Sequence, residues 1–264
     1  MSLPDIQLTL RPGIVEYGWG HPDLDLLPAA DLLRAAEIAL RQRGRQALSY
    51  GAEQGPGRLI EALQGWLARQ EAAAPPAQEL FITGGVSQAL DMLCTLFTRP
   101  GDVVLVESPV YHLALRVFRD HGLELAPVTA DENGLRIDTL AEVLESQRLR
   151  GRRPRFLYTV PTFNNPTGMT MPLERRRALV ALARQVGLLV LEDDVYHALW
   201  FDAPPPPSLY SLAAGLDREL APAGPIVRLG SFSKVLAPGL RLGWLAASPD
   251  IVQACVPGWK EEHP

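Results

Sequence analysis

With 264 residues, 47% hydrophobic and 21% charged, the chain has the composition of a globular protein with a substantial core, as one large domain or one with a small appendage. A formal charge of -5 argues against a general nucleic-acid surface, which needs clustered Lys and Arg. Two cysteines, Cys94 and Cys255, build neither a disulfide framework nor a metal site at short spacing.

Met1 to Leu10 lacks the basic-then-apolar order of a signal peptide. No apolar run approaches the ~20 residues needed to cross a bilayer, so the cytoplasm is the default compartment and no membrane partner is expected.

In chain order, Asp31 to Arg43 reads as a helix, and Gly44 to Gly57 as a Gly-containing connection. Leu59, Ile60, Leu63, Trp66 and Leu67 fall on one helical stripe, and Ala72 to Gln78, with Pro75 and Pro76, is a linker. A strand at Glu79 to Thr83 precedes a helix from Val86 to Phe97, with Cys94 on its apolar side. Asp102 to Glu107 is the next strand, Tyr111 to Asp120 a helix and Leu123 to Val128 a strand.

The alternation continues with a helix at Asp138 to Arg148, a strand at Arg155 to Val160 and a helix from Leu173 to Val186, closed by Gly187. Leu188 to Glu192 is a short apolar run with an acidic end, as in a strand buried on both faces. Pro204 to Pro207 is an extended surface loop, and Ile226 to Gly230 and Leu242 to Ala247 are further strands. Arg175, Arg176 and Arg177, the densest basic run, are expected on a solvated helix face.

This rhythm predicts an α/β fold, a mainly parallel sheet with helices on both faces, whose ligands sit beyond the carboxyl ends of the strands. Five polar clusters follow predicted strands: Thr83 to Ser87, Ser108 to Tyr111, Asn164 to Gly168, Asp193 to Tyr196 and Ser231 to Lys234.

A lysine after a strand is ordinarily a solvated surface residue. Lys234, however, is flanked by serines in Ser231-Phe232-Ser233-Lys234 and lies seven residues before Arg241 in a Gly-containing stretch. A desolvated lysine near other cations has a lowered pKa and can attack a carbonyl. Serine hydroxyls and an Arg fork suit a phosphate.

Glu192-Asp193-Asp194 could cap a helix or ligate a hard ion, but adjacent strand residues face opposite ways and do not converge on one metal. The alternative is a buried carboxylate opposite a pyridinium nitrogen, with Tyr196 near the same ligand. Asn164-Asn165-Pro166-Thr167-Gly168 is a turn whose amide could donate to a phenolate. Thr83-Gly84-Gly85-Val86-Ser87 joins strand to helix as an anion cradle, without a GxGxxG or P-loop.

Together these motifs resemble the class I/II aminotransferases, pyridoxal 5'-phosphate enzymes of fold type I, which implies a large domain with a mainly parallel, seven-stranded-type sheet. The nearest branch contains 2-aminoadipate, kynurenine and branched-chain or aromatic aminotransferases. The resemblance runs from about Gly18 to Ala247.

It implies that Lys234 carries the cofactor as a Schiff base and shuttles the proton, and that Asp193 pairs with the ring nitrogen. Asn165 and Tyr196 would bind the ring hydroxyl, and Tyr111 would stack on the ring. Gly85, Val86, Ser87, Ser231, Ser233 and Arg241 would hold the phosphate. Val86 stands where many relatives have a hydroxyl residue, so its contact would be through backbone. Tyr50 would reach the neighbouring subunit's phosphate, implying a homodimer that shares its sites. The substrates would be an amino acid and a 2-oxo acid.

The implied domains are an amino-terminal arm and first helix over 1–45, a cofactor-binding large domain over 46–250, and the start of a truncated carboxyl-terminal segment over 251–264. Relatives continue for ~100 residues more, carrying the Arg that grips the substrate carboxylate. Pro257 to Pro264 looks unlike the long helix expected there.

His112 and His197 are expected at the surface or one layer behind the site, and His21 near the substrate. Other readings are a β-lyase or decarboxylase with the same cofactor contacts, a non-catalytic sensor module, or an inactive dimerisation fragment.

Overall fold

A computed structural model describes residues 11–15, 20–71, 74–216 and 224–256. Gly18 and Trp19 of the amino-terminal motif, and the Pro257 to Pro264 tail, lie outside these residues. Among the described residues eight strands, one more than the seven-stranded sheet expected, form one sheet: β1 (Leu80–Thr83), β2 (Val103–Ser108), β3 (Glu124–Asp131), β4 (Gly134–Leu135), β5 (Phe156–Thr159), β6 (Leu189–Asp193), β7 (Ile226–Ser231) and β8 (Gly243–Ala246), in the order β1-β8-β7-β6-β5-β2-β3-β4. The β7-β6-β5-β2-β3 block is parallel. β8 runs antiparallel to both β7 and β1, so β1 points the same way as the parallel block.

α1 (Ala29–Arg43) has no buried residue, and the later helices cover both faces. On one side α2 (Gly57–Gln70), α5 (Ile137–Leu149), α6 (Leu173–Val186) and α7 (Leu209–Leu216) supply Leu63, Leu140, Leu179 and Ala213 to a core with Leu105, Leu157, Val190 and Trp244. On the other, α3 (Val86–Phe97), α4 (His112–Asp120) and α8 (Pro249–Cys255) pack Leu93, Phe118 and Val252 against Val104, Tyr158, Leu191 and Leu245. Strand neighbours such as Val104 and Leu105 enter different clusters because successive side chains point to opposite faces.

The predicted helix and strand alternation matches this order, with shifted ends. Glu79, expected in a strand, closes a 3-10 turn at Ala77–Glu79. α7 follows the Pro204 to Pro207 loop unforeseen, since at 8 residues it is short for a helical pattern to stand out. β4, a two-residue hairpin arm, is too short for a periodic signal. Gly187 ends α6 in the left-handed conformation, as its position implied. Cys94 is buried, and burial, then the Asp91 charge, pushes its thiol up to about 12. Among the described residues no helix is long and apolar enough to cross a membrane.

One expectation is overturned. Arg176 is 0% exposed rather than on a solvated face. Its guanidinium donates to the carbonyls of Met171, Pro161 and Pro207 and to Thr162 Oγ1, at 2.9 to 3.2 Å. The irregular segments after β5 and before α7 hold carbonyls outside the sheet ladder, and a five-donor side chain binds them. Arg175 instead pairs with Asp131, and exposed Arg177 with Glu174 at 2.7 Å.

Candidate active site

Three strands bring their ends together at one edge. The register sets Thr83 of β1 and Ser231 of β7 on either side of Gly243. A Cβ on Gly243 would stand 2.8 Å from both Gly85 Cα and the Gly230 carbonyl, so only glycine lets the loop after β1 close onto the strand. That loop enters α3 through Gly85, at φ 101°, with no side chain capping the helix. The first amides of α3 are therefore available to an anion, reinforced by the helix dipole. A Cβ on Gly85 would lie 3.3 Å from an Arg241 guanidinium nitrogen, which brings that cation to the same cradle.

A cavity of about 310 Å³ opens at this edge. Gly85, Val86 and Ser87 line it from the α3 end, Ser231, Ser233, Lys234 and Arg241 from the β7–β8 side, and Tyr111, Asn165, Asp193 and Tyr196 from the ends of β2, β5 and β6. Of the proposed cofactor residues, only Tyr50 stands elsewhere, fully exposed to solvent. His21 and Pro22 reach the rim, and Lys234 Nζ lies 3.4 Å from the Gly20 carbonyl. Half-burial lowers the Lys234 pKa through desolvation.

Asp193 is 4% exposed and ends β6 facing the cavity. Its Oδ2 accepts from the Tyr158 hydroxyl at 2.5 Å, and its Oδ1 has no hydrogen-bond partner among the described residues. Burial raises its carboxyl to about 6, the Tyr158 bond opposing and the Asp194 charge adding. Tyr196 is raised by burial, while a hydrogen bond from the Asn165 side chain works the other way. Tyr111, also raised by burial, meets the exposed His112 ring edge-on at 5.6 Å.

The neighbouring acids face the opposite side. Glu192 accepts from the amides of Leu209 and Tyr210 at 2.7 and 3.0 Å, capping α7. Asp194 takes two contacts from Arg228, at 2.8 and 2.9 Å, and lies 3.0 Å from His197 Nδ1. Thus the three acids do not converge. Glu71, Asp194 and His197 do come within 4.8 Å of one another, but the Arg228 guanidinium pairs with both acids and already supplies the positive charge there. His197 is buried, one layer behind the cavity.

Pyridoxal 5'-phosphate fits what these residues offer. Asp193 Oδ1 is a buried acceptor awaiting a donor, and the α3 terminus with Arg241 and two serines suits a phosphate. Lys234 supplies an amine in the same cavity.

Sequence reasoning missed Tyr158. Its signal was a polar-tipped aromatic inside a strand buried on both faces, which needs a hydrogen-bond partner.

Residues 12–257 match the family described as aminotransferase class I and II. A 2-aminoadipate transaminase of Thermus thermophilus is 39% identical over 95% of this chain and 59% of its own length. Among solved structures, a multiple substrate aminotransferase from Thermococcus profundus superposes with a TM-score of 0.80 at 33% identity, covering 92% of this chain and 59% of that one. An alpha-aminoadipate aminotransferase from Thermus thermophilus, complexed with N-(5'-phosphopyridoxyl)-L-leucine, gives a TM-score of 0.78 at 37% identity over 92% and 59% of the two chains. The chain thus spans about three-fifths of the length of these relatives.

Proposed function

Because the chain belongs to the class I and II aminotransferase family, we propose that it binds pyridoxal 5'-phosphate at Lys234 and moves an amino group between an amino acid and a 2-oxo acid. The observation that carries this reading is the shared cavity of a desolvated lysine and a buried aspartate whose second oxygen lacks a partner.

When bound, pyridoxal 5'-phosphate supplies an aldehyde that condenses with amines and a ring that accepts negative charge from the substrate. The amides of Val86 and Ser87, with Ser231, Ser233 and Arg241, would hold its phosphate. Asp193 Oδ1 would accept from the ring nitrogen and keep it protonated, and Asn165 and Tyr196 would hold the ring hydroxyl. Tyr111 would cover the ring face and exclude water. Lys234 Nζ, lowered by desolvation, would take the α-proton from the amino acid and return it in the second half of the exchange.

A homodimer is part of the proposal. Tyr50 and Leu48 stand exposed beside each other, and a second copy would give that phenol a site to enter.

Purified protein mixed with pyridoxal 5'-phosphate should gain visible absorbance, and borohydride reduction should trap the adduct on Lys234. The loaded protein should then exchange amino groups between amino donors and 2-oxoglutarate. No adduct on Lys234 overturns the reading. Pyruvate and ammonia without amino transfer point to a β-lyase, and an adduct without any half-reaction to a binding module.

A further inference from the structure

Resting on that cofactor reading, we propose that Tyr158 is a positioning residue for Asp193: its buried hydroxyl pins Oδ2 and leaves Oδ1 as the one acceptor for a ring N–H. The placement follows from register. Tyr158 of β5 pairs with Leu191 of β6, two residues before Asp193, so phenol and carboxylate share a sheet face. The tyrosine is 0% exposed, and its ring is set by Phe118, edge-on at 5.4 Å, which also packs on Phe156.

A carboxylate turns about a soft, two-fold torsion, so a single donor decides which oxygen points where. Here that donor is Tyr158 at 2.5 Å, and Oδ1 faces no protein donor among the described residues.

The hydroxyl is a permanent donor. Burial, then the Asp193 charge, lifts its pKa well above the ordinary tyrosine value. The titratable groups that act on the pair are Tyr111, Tyr196, Asp194 and Glu107, none of them cationic, and Lys234 lines the same cavity. The phenol is therefore the group that favours the ionised form of Asp193, against burial and the Asp194 charge.

Tyr158→Phe keeps the ring among Phe118 and Phe156 and removes the donor. In cofactor-free protein, the Asp193 titration, read by carboxyl ¹³C NMR with Asp193→Asn for assignment, should move up by about one pH unit. Affinity for pyridoxal 5'-phosphate near pH 7.5 should fall roughly five- to tenfold. In the Asp193→Asn background, Tyr158→Phe should change that affinity little. Trifluorotyrosine at 158, a stronger donor of the same shape, should move the titration down, which keeps the idea testable if the Phe variant fails to fold.

An unmoved Asp193 titration in either folded variant overturns the proposal, as does an equal loss of affinity with and without the Asp193 carboxylate. If the unsubstituted protein binds no cofactor, the functional reading fails while the titration still reports on Tyr158.

Discussion

Asp193 and Asp194, consecutive at the end of β6, meet opposite electrostatic partners. Asp194 is buried against Arg228 at 2.8 Å; burial raises its carboxyl, but that guanidinium and His197 together hold it below its usual range. Asp193 has only a neutral phenol and rises to about 6. Alternation along a strand turns one acid toward the cavity and the other toward the ion pairs beneath Trp244, which Arg228 overlies at 5.4 Å. One is structural, the other available for a ligand.

Asp193→Asn should stabilise the cofactor-free protein and impair the loaded one. The raised carboxyl keeps its proton in the fold after the unfolded chain has lost it. Stability therefore falls as pH rises from about 4 to 6 and is flat above, by on the order of 2 to 3 kcal/mol. Urea unfolding across pH 4 to 8 should show the variant free of that loss, its advantage greatest above pH 6. Amino transfer should drop by roughly 100-fold or more, because neutral Asn does not hold the ring nitrogen protonated.

Adduct formation at Lys234 should depend on pH through the amine itself. The protonated form is unreactive, so the rate should climb with pH and level off below the ordinary lysine value of 10.5, since desolvation lowers this group. Stopped-flow absorbance with pyridoxal 5'-phosphate would locate the midpoint. A midpoint at or above that value contradicts the desolvated amine.

Removing a single member of the back-face ion cluster should be costly. Arg228→Met leaves Glu71 and Asp194 buried without their cation, at about 3 to 5 kcal/mol. The pH dependence should also reverse. In the parent, the depressed Asp194 contributes stability that is lost as pH falls below the usual carboxylate range. In the variant, the unpaired acid is raised, and acidification restores stability. Asp193 contributes equally to both proteins, so the test is the stability difference between them, which should shrink from pH 8 to pH 5.

Gly85→Ala should weaken cofactor binding more than it destabilises the fold. The residue sits at φ 101°, and the added methyl would press within 3.3 Å of Arg241. Both the loop and the cation it receives belong to the proposed phosphate cradle. About a tenfold loss of affinity for pyridoxal 5'-phosphate is expected, against a cost near 1 kcal/mol in unfolding, comparable to other strained backbone positions.

Arg176→Met should lower stability by about 2 to 4 kcal/mol, because the guanidinium's hydrogen bonds to the Met171, Pro161 and Pro207 carbonyls are lost. It should also slow cofactor binding, since those carbonyls belong to the segments around Asn165 and α7. Calorimetry and binding kinetics on one sample test both.

The sequence by itself determined the helix–strand alternation, the five polar strand ends and the lysine, aspartate and glycine positions of the site. These signals are local. Apolar periodicity reports an element's buried face, and a polar cluster after a strand reports its exposed end. Asp193 was identifiable because its neighbours on a strand must face away from it. Tertiary structure alone decided that Tyr158 meets Asp193 across 35 positions of chain, that Arg176 turns inward and that Arg228 pairs with both Glu71 and Asp194. Such pairings follow from strand register and from which backbone carbonyls are left without partners. Both are properties of packed layers, and neither leaves a trace in residue spacing.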